Sequence, residues 1–185
     1  MTDTKDKAET NDYGARQMWK VVIQAPIETV WSTIVKTDAV QPFLFGAICD
    51  TEDGLKPGKP FRMVSKNRQF AIVYGEVLEF TPPTRFSHTI SFTSVEGEKP
   101  GRTSYELKTV PGGTELTLIS DAVPGTKTGK MTGSGPFMVE NLKRQIETGK
   151  PAFSGALVMA MSPLVGLFSP KISRIENWPL SGRTG

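Results

Sequence analysis

The chain has 185 residues, of which 37% are hydrophobic and 22% charged, a composition typical of a soluble globular protein with one sizeable core. The net charge of +3 comes from 22 basic and 19 acidic residues spread along the chain, so it does not indicate a nucleic-acid partner. The single cysteine, Cys49, excludes an internal disulfide. The chain also lacks metal-binding and nucleotide-binding motifs, and we expect no cofactor.

The first part of the chain divides into a polar lead, a strand and a helix. Residues 1–17 mix charges without an apolar segment, so we interpret them as a disordered lead that contains no secretory signal. The expected location is therefore cytoplasmic. Residues 18–25 have strand character. Pro26 then begins a helix whose apolar side consists of Ile27, Val30, Trp31 and Ile34.

Short strand-like runs, separated by turn residues, fill the middle of the chain. The run at residues 70–80 is predicted to present one apolar face, made of Phe70, Ile72, Tyr74, Leu78 and Phe80. The alternation in residues 85–92 predicts an interior face made of Phe86, His88, Ile90 and Phe92. The last predicted hairpin joins residues 103–110 to residues 114–121, with Tyr105 pointing inward.

Residues 136–150 are predicted to form the principal helix. Met138, Leu142 and Ile146 recur four apart and give the helix one apolar side. An antiparallel sheet has an apolar face to bury, so we expect it to wrap around this helix. The prediction is an α+β fold with a curved antiparallel sheet of about six to seven strands. Where the helix does not cover the sheet, large side chains either fill the space or leave a cavity.

Four stretches share the pattern of one known superfamily. They are IQAPIETVWSTIVKTDAVQPF, GEVLEFTPPTRFSHTISF, TSYELKTVPGGTELTLISD and ENLKRQIETGK. In this order they resemble parts of the START-like, or SRPBCC, superfamily, which has the helix-grip fold of the birch-pollen allergen. The closest likeness is to domains related to the C-terminal part of the activator of the ninety-kilodalton heat-shock-protein ATPase. The likeness covers residues 18–150 and leaves 151–185 as an apolar C-terminal extension.

The resemblance implies a pocket rather than a particular reaction, because ligand carriers, cyclases and co-chaperones share this fold. We expect a small hydrophobic or amphipathic ligand, such as a lipid, sterol or polyketide-like molecule, to bind between the sheet and the C-terminal helix. The predicted contacts are Phe70, Tyr74, Phe86, His88, Phe92, Tyr105, Met138 and Leu142. The alternatives are a co-chaperone-like protein-binding module and a cyclase- or hydrolase-type enzyme that uses His88.

His88, the only histidine, allows two interpretations. It is either a polar group or general base on the pocket wall, or a core histidine whose ring bonds to a backbone carbonyl. Neither a second histidine nor a carboxylate pair accompanies it, and Asp121 or Glu76 would reach it only through the tertiary fold. A catalytic set is therefore not predicted. Cys49 is interpreted as a small buried hydrophobe rather than as a nucleophile.

Residues 152–168 lie beyond the part of the chain that resembles the family, and they carry no charged side chain. Pro163 and Gly166 interrupt this apolar run, which is short for a membrane span. We interpret the extension as a segment that packs on the domain or on a second copy of the chain. The alternative is an anchor at a membrane surface, which the side chains of Lys171, Arg174 and Trp178 would assist.

Overall fold

The computed structural model describes residues 15–150 and 170–181. Its strands are β1 (Ala15–Ile23), β2 (Val40–Gln41), β3 (Ala47–Asp50), β4 (Pro60–Val64), β5 (Ala71–Thr81), β6 (Arg85–Phe92), β7 (Gly101–Val110) and β8 (Gly113–Ala122). Its helices are α1 (Ile27–Ile34), α2 (Lys127–Thr132) and α3 (Gly135–Thr148). The strands form one antiparallel sheet in the order β1-β8-β7-β6-β5-β4-β3-β2. The sheet is curled into a half-barrel with α3 as its C-terminal helix, which confirms the predicted α+β helix-grip fold.

Helix α3 packs against the sheet beside β1 and the 3-10 turn Pro42–Leu44. The side chains of its predicted apolar stripe pack in or against the core: Met138, Val139, Leu142 and Ile146. The helix begins at Gly135, where an added Cβ atom would overlap the Trp19 ring. Glycine at this position therefore lets α3 approach β1 closely enough to share the core with the sheet.

The hydrophobic core lies between α1, α3 and the sheet. Its largest fully buried apolar side chains are Phe43, Phe61, Ile23, Leu116, Leu118 and Leu142. Phe86 belongs to the same cluster, with its ring centroid 5.9 Å from that of Phe80 and 5.9 Å from that of Tyr105. Two of the predicted ligand contacts, Phe86 and Leu142, are thus parts of the packed core.

Strand β5 buries mainly the face opposite to the predicted one, although Ile72 of the predicted face borders a cavity. Its buried residues are Ala71, Val73, Gly75 and Val77, whereas Glu76 and Leu78 are exposed. A register shift after Val77 changes the pairing with β6, and Phe80 then packs against the core. The prediction that Phe70 and Tyr74 face the interior was wrong, because apolar residues occupy both faces of this strand.

The C-terminal segment, residues 170–181, packs against the outer face of the sheet. The Trp178 ring centroid lies 5.6 Å from that of Tyr74, and Phe70 forms an antiparallel bridge to the segment. The Arg62 guanidinium donates a hydrogen bond to the Trp178 carbonyl oxygen at 2.7 Å. These contacts explain why β5 carries an aromatic side chain, that of Tyr74, on its outer face, away from the core.

Two of the sequence predictions fall mainly outside the described residues. Residues 1–14 of the predicted lead 1–17 lie outside the described part of the chain, and so does the whole apolar run 152–168. Strand β1 begins at Ala15, so residues 15–17 belong to the sheet rather than to the lead. Within residues 15–150 and 170–181, none of the helices has the length and apolar character that a membrane crossing requires.

Candidate ligand-binding site

A cavity of about 360 Å³ lies between the sheet, α2 and the beginning of α3. Most of its wall is apolar, formed by Trp19, Leu44, Phe45, Ala47, Met63, Ile72, Val73, Ile90, Phe92, Leu118, Met131 and Met138. The remaining lining residues carry a polar group: His88, Thr103, Tyr105, Ser120, Thr132 and Ser134. Small-molecule sites have this character, an apolar wall with a few polar groups that fix orientation.

Three of the polar residues form a row across the sheet. His88 on β6 pairs with Thr103 on β7, and Thr103 pairs with Ser120 on β8. Neighbouring strands lie about 4.8 Å apart, so the three side chains follow one another at roughly this spacing. All three are buried. An apolar cavity with one polar row favours a ligand that has a polar group at one position and hydrocarbon elsewhere.

The His88 ring is held by a backbone hydrogen bond and by aromatic neighbours. Its Nδ1 lies 2.9 Å from the Thr89 carbonyl oxygen, which can only accept, so Nδ1 carries the proton. The Phe61 and Phe86 rings pack on it, with centroids 4.9 Å and 5.0 Å away. Burial lowers the pKa of His88 to about 4, although the bond to Thr89 acts in the opposite direction. At neutral pH the ring is uncharged, and its Nε2 is a hydrogen-bond acceptor.

Neither of the acids considered in the sequence analysis pairs with His88. Asp121 receives hydrogen bonds from Arg16 at 2.8 Å and from Arg102 at 2.9 Å. Burial alone would raise the pKa of Asp121, but these two guanidinium groups lower it overall. Glu76 is exposed on β5. Across the part of the chain that the structure describes, no group of three or more potential ligand side chains could bind a metal ion.

Tyr105 supplies a hydrogen-bond donor beside His88. The two ring centroids are 6.2 Å apart, and both side chains border the cavity. Burial raises the pKa of Tyr105, with a smaller contribution from Cys49, so its hydroxyl stays protonated. Cys49 itself is buried, and burial raises the pKa of its thiol to about 12. The thiol is therefore not a nucleophile, as expected.

Two large apolar side chains mark the rim of the cavity. Phe45 and Met131 both border it, yet 40% and 39% of their surfaces are exposed. Phe45 stacks on Phe137, with the ring centroids 4.4 Å apart and an angle of 8° between the ring planes. An apolar ligand that enters beside these residues would remain in contact with apolar surface from the rim to the interior.

The predicted contact residues separate into three groups. Four of them line the cavity: His88, Phe92, Tyr105 and Met138. Phe86 and Leu142 lie in the adjacent core. Phe70 and Tyr74 lie against the C-terminal segment instead.

Among the lining residues that were not predicted from the sequence are Trp19, Thr103 and Ser120. Thr103 lies two residues before Tyr105 on β7, and Ser120 lies two residues after Leu118 on β8, so each shares a strand face with an interior residue. This two-residue spacing could have identified both as candidate lining residues, because it places a polar side chain on the interior face of a strand. The register that aligns these two residues with His88 cannot be deduced from any single strand.

Comparison with protein families agrees with this architecture. The family model described as "Activator of Hsp90 ATPase homolog 1-like protein" matches residues 24–147, more than half of the 185-residue chain. The chain belongs to this family. The match ends one residue before the last residue of α3, so it includes most of the cavity lining. A search of the curated proteins found no match.

Solved structures of members of this fold are similar over most of the chain. ChR145 from Cytophaga hutchinsonii is 21% identical, with a TM-score of 0.59 over 75% of this chain and 97% of that one. An HSP90 activator from Plasmodium falciparum is 18% identical, with a TM-score of 0.56 over 75% and 99% of the two chains. CalU16 from Micromonospora echinospora is 18% identical, with a TM-score of 0.52 over 80% of each chain. At these identities the similarity concerns the fold.

Proposed function

We propose that this protein binds a small, largely apolar molecule with one polar end in the cavity between the sheet and α3. The observation that carries the proposal is an apolar cavity of about 360 Å³ whose wall is crossed by the row His88, Thr103 and Ser120. This volume falls within the range of roughly 300–1,000 Å³ that is usual for small-molecule sites.

Burial of the ligand's hydrocarbon would supply most of the affinity. A ligand that removes about 250 Å² of apolar surface from water gains about 6 kcal/mol at 25 cal/mol per Å². Taken alone, about 6 kcal/mol corresponds to a dissociation constant of about 40 μM, and the loss of translational and rotational freedom makes the expected binding weaker than this. The polar end would then set the orientation of the ligand by bonding at one point of the polar row.

In this proposal His88 has a role in ligand binding rather than in catalysis. A buried ring whose pKa is lowered to about 4, and which has no acidic partner among the described residues, is a weak general base. The cyclase- or hydrolase-type activity and the co-chaperone-like contact therefore remain predictions from the sequence. The same holds for association of residues 152–168 with a membrane surface or with a second copy.

A calorimetric titration with 1-decanol tests the proposal. Ala47→Phe places a ring in the cavity, because Ala47 is a lining residue, and should weaken binding at least tenfold. The matched control is Leu78→Phe, which adds bulk at an exposed position of β5 and should leave binding unchanged. Binding should also show a negative heat-capacity change, the marker of apolar burial.

Melting temperatures establish that the variants are folded, and Met63→Trp is a second cavity-filling variant if Ala47→Phe does not fold. Equal affinity of the cavity-filling variant and the Leu78→Phe control would contradict the proposal. So would a complete absence of decanol binding to the unsubstituted protein.

A further inference from the structure

A second hollow, of about 380 Å³, lies at one end of the cavity wall. It is enclosed by the ends of β1 and β8, the loop that follows β8, and α2. Gln17 and Lys130 border it, and Ser120 and Thr132 border both this hollow and the main cavity. The two spaces are therefore adjacent, with these two residues at their junction.

Ser120 is the polar group at this junction. It is only 5% exposed, and its Oγ has no hydrogen-bond partner among the described residues. Thr132, the other shared residue, donates its hydroxyl proton to the Gly129 carbonyl oxygen at 3.1 Å. A buried hydroxyl without a partner is unfavourable, so a water molecule, an ion or a ligand that bonds to Ser120 would be stabilising.

Lys130 is the one charged residue among those that line the second hollow. None of the ion pairs found among the described residues involves it. Glu98, which contacts the start of α2, accepts the backbone N–H groups of Lys127 and Thr128 at 2.9 Å each. Asp121 is held by two arginine side chains. Neither of these acids pairs with Lys130, so the charge contributed by the lining of the hollow is positive.

We propose that the second hollow holds the carboxylate end of an amphipathic ligand whose hydrocarbon chain occupies the main cavity. Lys130 provides the opposite charge, and the Ser120 hydroxyl donates a hydrogen bond to a carboxylate oxygen. The inference rests on the proposed function, because it assigns a polar end to the same ligand. It selects a class of molecule, the medium-chain carboxylic acids, over alcohols and hydrocarbons of similar length. At about 30 Å³ for each water-sized group, the main cavity holds roughly a dozen such groups.

The test compares decanoate with 1-decanol at neutral pH in four proteins. The unsubstituted protein should bind decanoate more tightly than decanol by two- to fivefold, the range expected of a partly exposed ion pair. Lys130→Met should remove this preference while leaving decanol affinity unchanged. Lys127→Met is the matched control, because Lys127 is an exposed lysine on the same helix that borders neither space, and it should keep the preference. Ser120→Ala should reduce decanoate affinity.

A second readout follows the carboxylate directly. The pKa of 13C-carboxyl-labelled decanoate, measured by NMR, should fall on binding to the unsubstituted protein and to Lys127→Met, and should fall less in Lys130→Met. An unchanged decanoate-to-decanol ratio in Lys130→Met would overturn the inference and leave the proposed function intact. A protein that binds neither probe would overturn the proposed function and this inference with it.

Discussion

Acidification should destabilise this protein through His88, the only histidine in the chain. Burial lowers its pKa from the ordinary 6.5 to about 4, so the folded state keeps the ring neutral where the unfolded state protonates it. The stability that the protein has while His88 is neutral in both states is fully present above pH 6.5. It is lost progressively as the pH falls from 6.5 towards 4, because protonation then favours the unfolded state. The largest possible loss is about 3 kcal/mol, and about 1 kcal/mol of it falls between pH 7.5 and 5.5.

Urea unfolding at pH 7.5 and at pH 5.5, followed by tryptophan fluorescence, measures this difference. The His88→Gln variant lacks the titrating ring, so its free energy of unfolding should change less between the two pH values, by about 1 kcal/mol. Carboxylates titrate alike in the two proteins and cancel in the comparison. His88→Phe is the second variant if the glutamine does not fit. If the free energy of unfolding changes equally with pH in the variant and the unsubstituted protein, the conclusion that the His88 ring is buried and neutral is refuted.

Two further predictions concern the contacts that shape the two sides of the sheet. Gly135→Ala should destabilise the protein by about 1–3 kcal/mol in urea unfolding, because the added methyl group overlaps Trp19; a change within experimental error would contradict the close approach of α3. Trp178→Ala should lower stability by about 1–3 kcal/mol through loss of its contact with Tyr74. It should leave decanol affinity within about twofold, since Trp178 borders the opposite face, and a large loss of affinity would count against that placement.

The orientation of β6 could be predicted from the sequence because its pattern is simple. Apolar side chains alternate with small or charged ones, and the pairing with β7 runs unbroken from Arg85 to Ile90. His88, Ile90 and Phe92 accordingly border the cavity, as the alternation predicts. The stripe on α3 was predictable for a similar reason, because its helical period is clear and its apolar side packs against the core.

The orientation of β5 could not be predicted because both of its faces are apolar. A strand buried on two sides loses the alternation that distinguishes inside from outside. The outer face of β5 is covered by residues from the far end of the chain, where Trp178 packs on Tyr74. The position of such a distant segment is a property of the tertiary structure, so the local pattern gave no information about it.

The row formed by His88, Thr103 and Ser120 also could not be predicted from the pattern of any single strand. His88, Thr103 and Ser120 come from three strands, and only the sheet register places them side by side. Ser120 in particular resembles any small polar residue near the end of a strand. Its importance follows from burial without a partner, which depends on the whole fold.

Methionine methyl groups offer the most direct test of the central claim, that the cavity encloses an apolar ligand. Met63, Met131 and Met138 border the cavity, whereas Met18 is exposed on β1 and serves as an internal control. In protein labelled with 13C at the methionine methyl groups, addition of 1-decanol should shift the three cavity signals in parallel and leave that of Met18 unchanged. Unmoved cavity signals at saturating decanol, or shifts confined to Met18, would contradict the account.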